Sequence, residues 1–146
     1  MTTDPGYSGT PLVRKLGIKP GHHVGIVDAP AGFAVPGTEG ASVDKGSKST
    51  AASYDVIVVF CADSGALRRR FAGLATTLVH NGALWVAWPK RASGVSTDLD
   101  ENLVRAHGLA VGLVDVKVCA IDATWSGLKF VYRLDDRAKR AARPPA

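Results

Sequence analysis

Hydrophobic positions follow three rhythms along this chain. Val24-Gly25-Ile26-Val27, Val56-Ile57-Val58-Val59-Phe60 and Ala83-Leu84-Trp85-Val86-Ala87-Trp88 are continuous apolar runs, the pattern of strands buried on both faces of a sheet. Leu67, Phe71, Leu74 and Leu78 recur at spacings of four, three and four, which predicts a helix capped by Asp63 or Ser64 and stopped at Asn81-Gly82. A second helix is expected from Thr97 or Asp98, with Leu99 and Leu103 inward and Gly108 at its end. Thr10, Pro11 and Gly17 frame a short one, with Leu12 and Leu16 on one face. The third rhythm has a period of two. Val114, Val116, Val118 and Ala120 alternate with Asp115, Lys117 and Cys119, and Leu128, Phe130, Tyr132 and Leu134 continue the pattern after a break at Asp122-Ala123-Thr124. Two such runs so closely joined predict an antiparallel hairpin at a sheet edge.

The remaining segments are irregular. Residues 1–9 read as a flexible arm and residues 30–53 as loop, with one short strand near residues 41–44. Residues 135–146 have no apolar periodicity and are expected to form a disordered basic tail. A single α/β domain over residues 10–134 remains. The 146 residues suit one core, and 46% hydrophobic with 21% charged is a globular balance. The charge of +5 mildly favours acidic partners and falls short of a nucleic-acid footprint. Cys61 and Cys119 sit in apolar runs and form no disulfide framework. With no apolar signal core and no membrane-length stretch, a cytoplasmic protein without membrane contact is expected.

Strands alternating with helices predict a mostly parallel Rossmann-like sheet of five to six strands with helices on both faces. The added antiparallel hairpin resembles the methyltransferase-like variant, and the segment from Tyr54 to Lys90 is similar to the latter half of that fold. A second resemblance rests on longer words. Tyr7-Ser8-Gly9-Thr10-Pro11-Leu12, Lys15-Leu16-Gly17-Ile18-Lys19-Pro20-Gly21, Leu84-Trp85-Val86-Ala87-Trp88-Pro89-Lys90 and Thr124-Trp125-Ser126-Gly127-Leu128-Lys129-Phe130 resemble the actinobacterial domain-of-unknown-function family DUF3052. That family has no assigned activity, so the resemblance implies bacterial kinship and no reaction.

In open α/β sheets ligands bind beyond the carboxyl ends of the strands. The polar residues expected at that rim are Asp28, Asp63, Ser64, Trp88, Lys90, Ser93, Thr97, Asp98, Asp122, Thr124 and Trp125. Lys90 suits an anionic group and the indoles a planar one. Equally, Lys90 can pair with Asp122 or Asp98 and merely close the rim. No metal is expected, because His22 and His23 would point to opposite faces of a strand. Gly46-Ser47-Lys48-Ser49-Thr50 mimics a phosphate loop but fails its spacing. Methyl transfer from S-adenosylmethionine is disfavoured by the loop Asp28-Ala29-Pro30-Ala31-Gly32-Phe33, which has a proline where a permissive glycine belongs. Three readings follow. The leading one is a non-catalytic or regulatory domain binding a small anionic or planar metabolite at the rim. The others are an enzyme of methyltransferase-like descent with an altered cofactor loop, and a protein- or nucleic-acid-interaction module using the basic tail and Arg68-Arg69-Arg70. Neither the cofactor nor the oligomeric state is indicated.

Overall fold

The computed structural model describes residues 10–46 and 53–141. The expected arm at 1–9, the phosphate-loop mimic beyond Gly46 and the tail at 142–146 lie outside them. In chain order the elements are α1 (Leu12–Leu16), β1 (His23–Val27), β2 (Ser42–Lys45), β3 (Tyr54–Phe60), α2 (Ser64–Ala75), β4 (Leu78–Pro89), α3 (Glu101–Val111), β5 (Leu113–Ala120), β6 (Trp125–Tyr132) and α4 (Leu134–Ala141). The strands form one six-stranded sheet in the order β2-β1-β3-β4-β6-β5. β1 to β4 are parallel, with Val24 beside Val56 and Val58 beside Trp85. β6 runs antiparallel between β4 and β5. The mostly parallel sheet with its terminal antiparallel pair is the arrangement the hydrophobic pattern predicts.

Each face of the sheet carries its own core. On one, Leu67, Phe71 and Leu74 of α2 and Val104 of α3 pack over Ile57, Val59, Leu84, Val86, Leu128 and Phe130. On the other, Leu12, Val13 and Leu16 with Phe33 and Val35 cover Val24, Val56, Val58, Trp85 and Ala87. Trp85 is fully buried, and its indole N–H donates to the Leu16 carbonyl at 3.1 Å, so its one polar atom is satisfied. Each fully buried aliphatic side chain in these layers contributes roughly 1.5–3 kcal/mol.

Several boundaries differ from the periodicity. α2 stops at Ala75 without a glycine, since the Thr76 and Thr77 hydroxyls donate to the Gly73 and Leu74 carbonyls, each at 2.7 Å. Leu78 therefore opens β4, and Asn81-Gly82 lies inside that strand, where the pairing jumps from Tyr54–Leu78 to Val56–Ala83. A Cβ on Gly82 would stand 2.9 Å from the Tyr54 carbonyl oxygen, so glycine marks a close backbone approach there. α3 begins later than expected, with Asp100 accepting from the Leu103 amide at 2.8 Å. Its buried positions include Val104, whereas Leu103 is 51% exposed. Gly108 lies within α3 against the Phe130 ring, and Gly112 at φ 111° ends the helix. The expected alternation in β5 breaks at Val116, where the register shifts. Finally, the stretch read as a disordered tail begins with α4, anchored by the Arg137 guanidinium Nε on the Tyr132 carbonyl at 3.0 Å.

Candidate functional site

The strand order reverses between β1 and β3, so the crevice at their carboxyl ends is the first place to seek a ligand. Here it is bridged. Asp28 leaves β1 with φ 58° and meets Arg70 of α2 at 2.8 and 3.1 Å. Phe33 meets Phe60 edge-on at 4.7 Å on the opposite face. Asp63 caps α2, accepting from the Ala66 amide at 2.9 Å. Cys61 is fully buried. Burial, then the Asp28 and Asp63 charges, push its thiol up to about 12, which removes it as a nucleophile near neutral pH.

The open cavity lies one strand further along. About 500 Å³ in volume, it is bounded by the end of β4, the turn at Arg91–Ser93 and the start of α3. Trp88, Lys90, Thr97 and Asp98, all expected at the rim, line it, together with Arg91 and Glu101. Its carboxylates are already engaged. Asp98 accepts from the Ser64 amide at 2.8 Å and the Ser64 hydroxyl at 2.5 Å, and those bonds hold its pKa below the ordinary value. Asp100 caps α3, and Glu101 pairs with Arg105 at 2.5 Å. Lys90 and Arg91, by contrast, form no ion pair with any described residue. The backbone of Lys90 is held on both sides. Its amide donates to the Thr124 carbonyl at 2.7 Å, and the Ser93 hydroxyl donates to its carbonyl at 2.6 Å. Thr97 fastens the far wall by donating its hydroxyl to the Ala62 carbonyl at 2.7 Å.

The expected rim is thus divided. Asp122 does not reach Lys90. It accepts from the Thr124 and Trp125 amides at 2.8 and 2.9 Å, which shapes the β5–β6 turn. Trp125 pairs with Pro89 while Trp88 pairs with Ser126, so the two indoles leave opposite faces of the sheet. Trp125 meets Phe60 edge-on at 5.1 Å on the α1 side. Trp88 is 5% exposed and belongs to the core beneath the cavity. Arg91, which directly follows Lys90 at the strand exit, joins the expected rim residues in the cavity. Glu101 carried no signal, because its place depends on where α3 starts. No group of three or more metal-ligating side chains gathers among the described residues, and none of their helices is long and apolar enough to cross a membrane.

No family model matches this sequence, and no curated protein matches it either. Solved structures do. A fibrillarin pre-rRNA processing protein from Methanococcus jannaschii is 14% identical at a TM-score of 0.50, over 79% of this chain and 68% of that one. The PH0226 protein of Pyrococcus horikoshii is 9% identical at 0.49, over 84% and 86%. At such identity the likeness to the fibrillarin structure concerns architecture alone. Together with a mixed sheet that carries β6 antiparallel between β4 and β5, it gives this chain a methyltransferase-like Rossmann fold.

Proposed function

We propose that this Rossmann-like domain binds a small anionic metabolite in the cavity at the end of β4, in a non-catalytic or regulatory role. One observation carries the reading. The cavity holds two cations, Lys90 and Arg91, without an ion-pair partner among the described residues, while Asp98, Asp100 and Glu101 are bonded to protein groups. The carboxylates stay ionised but are held by their protein partners, so Lys90 and Arg91 are the charged side chains left to receive an anion in this concave site. The exit of β1 supports a role other than methyl transfer. The Phe33 amide donates to the Pro30 carbonyl at 3.1 Å in a tight turn, and Asp28 is engaged by Arg70.

A thermal-shift titration with ATP, ribose 5-phosphate, citrate and S-adenosylmethionine tests this. At least one of the three anions should raise the melting temperature by mass action, and Lys90→Ala should abolish the rise. Stabilisation by S-adenosylmethionine alone, unaffected by Lys90→Ala, would replace this reading with that of an enzyme of methyltransferase-like descent.

A further inference from the structure

On the α1 side of the sheet, Lys117 of β5 stands directly opposite Lys129 of β6. Like charges facing each other across an antiparallel pair destabilise it. The register makes this placement specific. Asp115 pairs with Phe130, so an unbroken strand would set Val116 opposite Lys129. The irregularity at Val116 brings in Lys117 instead. Bulges of this kind re-aim side chains. Asp115, the carboxylate nearest in sequence, is directed away and bonds Arg105 of α3 at 2.8 Å. Neither lysine forms an ion pair with any described residue.

We propose that this face of β5 and β6 binds the phosphate backbone of a nucleic-acid strand through Lys117 and Lys129, flanked by Lys19 and Arg137. Lys129 is half-buried, and its pKa lies below the ordinary lysine range, through burial first and then the charges of Lys117, Arg137 and Lys19. Lys117 of β5, Lys19 of the α1–β1 turn and Arg137 of α4 thus all act on Lys129. Their spread over separate elements suits successive phosphates of a chain. The face lies apart from the Lys90 cavity, so the two sites stand or fall independently. Phosphate contacts alone hold a strand without reading its sequence.

Fluorescence anisotropy with a labelled mixed-sequence single strand of about 20 bases tests the proposal, and four phosphate contacts predict a log–log salt slope of about −3. Lys117→Gln with Lys129→Gln should weaken binding at least about fivefold and flatten the slope by about 1 to 2. Arg68→Gln with Arg69→Gln removes the same charge from α2 and should change affinity less than about twofold. Lys117→Glu places a carboxylate opposite Lys129, so the melting temperature should rise while binding disappears. Unchanged binding in the lysine variants, or equal loss in the arginine variant, would overturn the proposal. Displacement of the strand by an equimolar amount of tripolyphosphate would assign the face to a small anion and equally overturn it.

Discussion

Asp28 and Arg70 form a two-point ion pair across the rim, Nε to Oδ2 at 2.8 Å and Nη2 to Oδ1 at 3.1 Å, with Asp28 in the left-handed region at φ 58°. The pair binds the exit of β1 to α2 and occupies a carboxylate that the sequence offers as a ligand.

Both side chains are about half exposed, so losing the pair should cost at most about 1 kcal/mol. Asp28→Gly relieves a backbone strain of roughly 1–2 kcal/mol. Denaturant unfolding should therefore show Asp28→Gly at or above wild-type stability and Arg70→Ala slightly below it. A loss of several kcal/mol in Asp28→Gly would show that the pair, and not the backbone, decides the stability of this corner.

Two helical glycines should respond in opposite directions to alanine. A Cβ on Gly73 meets nothing within 4 Å, so Gly73→Ala should gain about 0.5–1 kcal/mol from helix propensity. A Cβ on Gly108 overlaps the buried Phe130 ring, and Gly108→Ala should lose about 1–3 kcal/mol by overpacking. Equal gains at both sites would refute the close approach of α3 to β6.

His107 sets a pH dependence. Its ring meets Phe71 edge-on at 5.2 Å, and its Nε2 is buried without a hydrogen-bond partner among the described residues. Burial, and secondarily Arg68, lower its pKa from 6.5. The unfolded chain therefore takes up this proton at higher pH than the folded one. The neutral ring's contribution is complete above 6.5 and is lost as pH falls through the lowered folded value. Melting temperatures between about pH 7 and pH 5 should fall less steeply in His107→Phe than in the wild type. Parallel curves would show that His107 titrates alike in both states.

Cys61 has the opposite sign. Its thiol is raised from 9.0 to about 12, so its contribution is complete below 9 and disappears as pH rises toward 12. In a Cys119→Ser background at about pH 8, iodoacetamide should label Cys61 no faster than the chain unfolds. Rapid labelling of the folded protein would mean that the thiol is accessible.

Long-range patterns were legible in the sequence, and local stops were not. The apolar runs at β1, β3 and β4 declare themselves because a strand covered on both faces has no polar position to spare. Asn81-Gly82 and Gly108 look like helix ends but serve close packing, against the Tyr54 carbonyl and the Phe130 ring, which only the folded chain supplies. The cavity residue Lys90 was legible from its strand exit, and Thr97 from the polar stretch that leads into the following helix. Trp125 was not placed correctly, since one residue of register decides which face it leaves.

The place of β6 also orders events during synthesis. Of the six strands it emerges last, yet it lies between two made earlier. Until residues 125–132 leave the ribosome, β4 has an unpaired edge along a strand that includes Leu84, Trp85 and Val86. Such an edge is open to pairing with any extended chain nearby. A nascent chain ending near residue 124 therefore carries this apolar strand edge uncovered, and arrival of β6 both completes the sheet and protects it.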